Sequence, residues 1–287
     1  MSAVFKHELK LYFQSLTAYV FGAFLLVAVG LGSMLYNLTA AVSNFEYVFS
    51  YGALAFVVIV PILTMRVIAE ERRQKTDQLL YSLPITTTQV ILGKYLALLV
   101  VFAVPMCIIS LYPLLFSHFG DVYLLTSYGT ILAFLMLGAA LIAIGVFISS
   151  LTDNQGFAAG IGIAVILLNY YSVSLSEYVS ATAFGSAATF VALIVCIWAV
   201  VNYVTKSEKL AYIVGFALLA LLLVAFWLNA GSFEGLLPKI MTALSLFKRF
   251  NVFITGVFDL TGIAFYLTVV VFFLFLSVQS MEKRRYN

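Results

Sequence analysis

The chain has 287 residues, of which 64% are hydrophobic and only 9% charged, with a formal net charge of +3 and a mean hydropathy of +1.11. A soluble domain is nearer 45–50% apolar and about 25% charged, so no water-facing fold can hide this much apolar surface. The net charge says little by itself, and no basic, aromatic-interleaved patch points to a nucleic-acid partner.

In hydrocarbon every backbone polar group must pair internally, which leaves helices or closed barrels. The apolar runs are continuous rather than alternating, so the predicted fold is all-α, a polytopic membrane helix bundle. Residues 2–14 come first. Phe5, Leu9, Tyr12 and Phe13 recur at helical spacing, while Lys6, His7, Lys10 and Gln14 lie mostly off that stripe. This pattern predicts an amphipathic helix in the membrane interface.

Eight apolar stretches follow, at 16–36, 48–68, 90–116, 124–150, 155–175, 184–204, 211–230 and 262–280. Each reaches the ~20 residues that a bilayer core requires. Pro61 is expected to kink the second, and Pro105 and Pro113 the third. With the N-terminus inside, 12 of the 15 lysines and arginines face the cytoplasm, and only Lys239, Lys248 and Arg249 lie outside. The positive-inside rule therefore places both termini in the cytoplasm of a multi-pass protein of the plasma or inner membrane. Residues 231–260 are then extracytoplasmic and amphipathic, read as one or two short helices in the outer leaflet.

The spans carry no acidic or basic residue at their centres. Lys94 is read as snorkelling from a cytoplasmic helix end. A proton-coupled transporter commonly keeps an intramembrane carboxylate or histidine, so this absence counts against one. No HExxH, GxSxG or Walker A pattern is present; Gly93-Lys94 is followed by Tyr95. The chain is expected to have no catalytic, cofactor or metal residues of its own. Cys107 and Cys196 read as small packing residues. Gly156-Phe157-Ala158-Ala159-Gly160 is a GxxxG pattern that permits close helix approach, either within the chain or between subunits. Asn169, Tyr170 and Tyr171 lie near the outer end of the fifth stretch. They suit a pathway lining or an interfacial anchor equally well.

Charge is concentrated in one place. Six of the 27 charged residues fall within Glu70-Glu71-Arg72-Arg73-Gln74-Lys75-Thr76-Asp77. After it, Leu79, Leu80 and Leu83 share one side of a short helix that Pro84 stops. An apolar knob ringed by charge marks either an interface or a loop dipping into headgroups.

The run from Met65 through Glu70, Glu71, Arg72, Arg73 and Thr76 to Leu79, Leu80, Leu83, Pro84 and Thr86 resembles the motif between spans two and three of type-2 ABC transporter permeases. Gly93-Lys94 is similar to their G-K pair at the start of span three. The segment from Ile144 through Ser149, Ser150, Asp153 and Asn154 to Gln155 is similar to their second cytoplasmic turn. The outer stretch 244–261 resembles the gliding-motility-associated subgroup. Residues 176–230 form an extra hairpin beyond that family's six spans, and Lys75 stands where the family commonly has glycine.

The resemblance implies a single membrane permease domain over 1–287, serving as the transmembrane subunit of an ATP-driven exporter. Residues 76–83 would be a coupling helix seated on a separate ATPase subunit, which would bind ATP and magnesium. Glu70, Glu71, Arg72 and Arg73 would face that subunit or brace the interfacial helix. The other implied partners are a second permease chain, identical or related, an extracytoplasmic auxiliary subunit, and membrane lipid. The alternatives are a secondary transporter or channel that works without ATP, and a membrane scaffold for an ATPase complex. The uncharged, aromatic-rich spans favour an amphiphilic substrate.

Overall fold

The computed structural model describes residues 1–76, 85–205, 208–228 and 230–285. Among them no strand occurs. Helix α1 covers Ser2–Gln14 and ends where Ser15 turns into extended backbone. Helix α2, Leu16–Ser33, runs on through a wider turn at Met34–Thr39. A tight turn at Phe45–Val48 leads into α3, Phe49–Thr64, and α4 covers Ala69–Gln74. Helix α5 is Thr87–Ile109 and α6 is Tyr112–Ser117. Then come α7, Leu124–Leu151, and α8, Gln155–Tyr178. Next are α9, Ala183–Thr205, and α10, Glu208–Leu228. The chain ends with α11, Leu236–Ala243, α12, Leu246–Ile254, and α13, Leu260–Arg285.

Among the described residues, six helical stretches are long and apolar enough to cross a membrane: Leu16–Thr39, Phe45–Gln74, Thr87–Ser117, Leu124–Leu151, Gln155–Tyr178 and Leu260–Arg284. A pair bent by 112°, Gly215–Leu228 with Gly231–Ala243, makes a seventh if it counts as one span. The sixth and seventh expected stretches coincide with α9 and α10. Lys206 and Ser207, between those two helices in sequence, lie outside the described residues.

The ends of α5 follow from its sequence. Thr86 Oγ1 accepts the Gln89 amide at 3.3 Å, and Gln89 Oε1 accepts the Thr86 amide at 3.4 Å, a reciprocal cap. Pro61 and Pro105 lie inside α3 and α5. Pro113 instead sits in the first turn of α6, where a missing N–H leaves no bond unmade.

The chain divides into two compact units, Met1–Tyr170 with Leu246–Asn287, and Tyr171–Ser245. In the first, α7 is the central helix, packed by α3, α5, α12 and α13. Phe134 stacks on Phe56 at 4.4 Å, and Phe49 and Phe250 join it at 4.8 and 5.6 Å. Such close approach needs small residues on α7. A Cβ on Gly138 would lie 2.4 Å from the Phe102 ring, and one on Gly145 would lie 2.2 Å from Thr64 Oγ1. The amphipathic α12 buries Leu246, Phe247, Phe250, Phe253 and Ile254. It is pinned by Thr130 Oγ1 donating to the Phe253 carbonyl at 3.0 Å and Tyr266 donating to the Leu246 carbonyl at 2.8 Å.

In the second unit, α9 and α10 pack together, with Trp198 and Tyr212 rings 5.6 Å apart. Phe233 closes against Phe190 and Phe226 at 6.4 and 5.4 Å, and the Gly235 amide donates to the Ala181 carbonyl at 2.8 Å.

Candidate functional site

The charged segment and the 149–154 turn, two motifs about 80 residues apart in sequence, meet at one end of the bundle. Ser149, fully buried at the end of α7, makes the junction. Its Oγ accepts the Ile68 and Ala69 amides, both at 3.1 Å, and donates to the Met65 carbonyl at 3.1 Å. The first amides of a helix have no partner within it, so Ser149 supplies from α7 the cap that α4 lacks in its own sequence. The last carbonyls of α7 are satisfied in turn. Arg72, buried, donates to the Ser150 carbonyl, and Ser280 Oγ of α13 donates to the same oxygen at 3.0 Å. Arg284 reaches Asp153 at 2.8 Å and the Leu151 carbonyl at 3.4 Å. Cations at a helix C-terminus also complement its dipole. Asn154 Oδ1 accepts the Gly156 and Phe157 amides at 2.9 and 3.3 Å and starts α8.

Helix α4 is only six residues long, yet its charges are ordered along its dipole. Glu70 and Glu71 lie in the first turn, Arg72 and Arg73 in the last. It ends in a Schellman motif: the Thr76 amide donates to the Glu71 carbonyl at 3.0 Å and the Lys75 amide to the Arg72 carbonyl at 3.1 Å. That geometry requires a left-handed residue, and Lys75 adopts φ 58°, ψ 22°. Lys75 thus keeps a glycine-like backbone while carrying a side chain. Arg73 and Lys75 are exposed beside the start of segment 77–84. The expected coupling-helix residues Leu79, Leu80, Leu83 and Pro84 lie outside the described residues, whereas Thr76 is within them.

The expectation for Lys94 is corrected. It does not snorkel; it is 1% exposed. Its Nζ lies 2.7 Å from Glu8 Oε1 and 2.6 Å from Glu71 Oε1. An isolated buried ammonium would be prohibitively costly, and two carboxylates from two other helices offset that cost. Glu71 is thereby joined through Lys94 to Glu8 of α1. Alpha1 can approach closely because Gly93 lacks a side chain: a Cβ there would lie 3.1 Å from Val4. Sequence reasoning missed Glu8. The available clue was its position four residues before Tyr12, on the buried stripe, where an acid needs a cation.

Tyr12 is also buried here. Burial, reinforced by Glu8 and Glu71, pushes its phenol well above the ordinary range, so it remains an O–H donor. At the opposite end of α7, Glu46 is 2% exposed and accepts Thr126 Oγ1 at 2.7 Å and Ser127 Oγ at 2.9 Å, tying the loop after α2 to the first turn of α7. This anchor was also invisible in the sequence.

Other expected positions fall elsewhere. Asn169 Oδ1 accepts the Leu246 amide at 3.0 Å, and Tyr170 meets Phe247 edge to face at 5.0 Å, so both hold α12. Tyr171 is exposed. A Cβ on Gly160 would meet nothing within 4 Å, and one on Gly156 only Asn154, so this GxxxG face has no close packing partner among the described residues. Close packing of that kind uses Gly138, Gly145 and Gly162 instead, the last with a would-be Cβ 3.0 Å from Pro61. Cys107 is exposed on the bundle surface rather than packed inside it. Among the described residues no group of acidic, histidine or cysteine side chains could hold a metal ion.

A search of curated proteins and of solved structures finds no match to the chain. The family model described as "ABC-2 family transporter protein" matches residues 28–195, more than half of the chain, and covers α3–α5, the 149–154 turn and α8. With its apolar helices and the packed junction of α4 against α7, the chain belongs to the ABC-2 family and is a multi-pass membrane permease component of an ABC transporter.

Proposed function

We propose that the chain is the membrane subunit of an exporter in which ATP binding and hydrolysis on a separate subunit drive movement of an amphiphilic substrate. Residues 76–83 are the coupling helix, and that subunit holds ATP and magnesium. Two permease chains, identical or related, enclose the pathway, with both termini in the cytoplasm and the complex in the plasma or inner membrane. The outer stretch 244–261 favours the gliding-motility-associated subgroup and an extracytoplasmic auxiliary subunit.

The observation that carries this reading is the way α4 is held. Glu71 ties it to Lys94 of α5 and through Lys94 to Glu8 of α1, while Arg72 and Ser149 tie it to α7. A push delivered at Thr76 therefore meets an element joined to three others and is passed on as a rigid-body displacement. Exposed Arg73 and Lys75, with Leu79, Leu80 and Leu83 beyond, offer the charged and apolar contacts for a partner.

The test is to express the chain with its candidate ATPase, isolate the complex, and measure substrate-dependent ATPase activity and transport in vesicles. Leu79→Asp and Leu83→Asp are expected to abolish transport and ATPase association while leaving membrane insertion intact. Unchanged association and transport in both variants would overturn the reading.

A further inference from the structure

Helix α12 is held differently at its two ends. At Leu246, which is buried, other helices take both backbone groups. The amide donates to Asn169 Oδ1 of α8 at 3.0 Å, and the carbonyl accepts the Tyr266 hydroxyl of α13 at 2.8 Å. The first amide of a helix has no acceptor within it, so losing Asn169 would leave a buried donor unpaired. This end is costly to free.

The other end closes on itself. Asn251 O accepts the Thr255 amide at 3.1 Å, Val252 O the Val257 amide at 3.3 Å, and Phe253 O the Gly256 amide at 3.0 Å. Gly256, at φ 82°, supplies the left-handed residue of that turn. From the bundle, Thr130 Oγ1 of α7 donates to the Phe253 carbonyl at 3.0 Å. The same oxygen lies 3.0 Å from the Thr126 carbonyl of its own helix. A hydroxyl carries one proton, and a helical threonine readily gives it to the carbonyl four residues back. If the Thr130 proton turns to Thr126, the Phe253 carbonyl keeps the Gly256 amide. Parting this end from α7 therefore leaves neither group unpaired. The apolar face that lifts away in a membrane meets acyl chains rather than water, which removes the hydrophobic cost. The link 255–259 to α13 does not hold the end down, since five residues reach up to about 17 Å.

We propose that α12 is a strap hinged at Leu246, which swings off α7 at Phe253 while the Thr130 hydroxyl turns to the Thr126 carbonyl. What keeps the strap closed is then mainly ring packing, Phe250 on Phe134 at 5.6 Å. Opening uncovers Phe134, the ring that stacks on Phe56. The inference goes beyond the coupling reading and rests only on the chain being a multi-pass membrane protein.

The experiment is double electron–electron resonance on the full-length chain in lipid nanodiscs. Nitroxides are attached through Asn251→Cys on α12 and Leu125→Cys on α7, both exposed positions, in a background of Cys107→Ser and Cys196→Ser. The otherwise native chain is expected to show a main distance and a second, longer one. Phe250→Leu should raise the share of the longer distance about threefold to tenfold, the worth of the aromatic pair it removes. Thr130→Val should leave the ratio within about twofold, because its hydroxyl is paired in both positions of the strap. A single distance in both the native chain and Phe250→Leu overturns the proposal. So does a tenfold shift in Thr130→Val, which would mean that the hydroxyl loses its partner on opening. No ATPase is present in the measurement, so its failure leaves the coupling reading standing.

Discussion

Lys94 Nζ and Glu8 Oε1 lie 2.7 Å apart although 86 positions separate them in the chain. Their pairing, with Glu71 as the third member, joins the interfacial helix to the charged segment. Removing one partner from a buried ion pair leaves an uncompensated charge. Lys94→Met is therefore expected to destabilise the chain by about 3–5 kcal/mol. Glu8→Gln leaves Glu71 on the lysine and should cost about 1.5–3 kcal/mol, the range for a hydrogen bond to a charged group. Denaturant unfolding in detergent micelles checks both. The double variant should be less destabilised than the two single effects added together, because the sites share partners.

Lys75 holds a left-handed backbone that an L side chain adopts at a cost of roughly 1–2 kcal/mol. Lys75→Gly is expected to raise stability by up to about that amount while keeping the α4 cap. A β-branched residue there should lower it. Thermal unfolding of Lys75→Gly and Lys75→Val gives the comparison, and a loss of stability in the glycine variant would contradict the cap geometry.

The glycines separate by what surrounds them. Gly145→Ala drives a methyl group against Thr64 and should cost about 1–3 kcal/mol. Gly160→Ala meets open space inside α8 and is expected to be neutral or to stabilise by up to about 1 kcal/mol. If Gly160 lies against a second subunit, Gly160→Leu will weaken self-association, read by cross-linking or sedimentation, without lowering the unfolding temperature of the single chain.

Asp259 caps α13. The Thr261 hydroxyl donates to it at 2.6 Å, the Thr261 amide at 2.9 Å and the Gly262 amide at 3.1 Å. These bonds, the Thr261 hydroxyl first, hold its carboxyl below the usual range. A folded-state pKa below the unfolded one gives stability that is present above the ordinary carboxylate range and lost as the pH falls through the folded value. Unfolding curves from pH 7 to pH 3 should show a steeper acid loss for the native chain than for Asp259→Asn. Parallel curves would remove the assignment.

Several features were legible in the sequence because they follow from local pattern. Of the eight stretches expected from hydropathy, six are long and apolar enough to span among the described residues, and the spacing of Phe247, Phe250, Phe253 and Ile254 located α12. The two charged or polar turns were recognisable as motifs, but nothing in either indicated that Ser149 would cap α4, because that bond joins residues about 80 positions apart. Lys94 was misread for the same reason: an ammonium near a helix end looks solvated until its partners are known. The GxxxG at Gly156 and Gly160 shows the limit of spacing arguments. Spacing permits close approach without saying which surface approaches, and here Gly138 and Gly145 take that role.

The Ser150 carbonyl accepts from both Arg72 and Ser280, so one oxygen is common to the charged segment and to the last helix of the chain. A fluorophore attached beyond Arg284 would thus ride on the same anchor as α4. A label there then serves as a gauge, from which motion of α4 can be followed without labelling the charged segment itself.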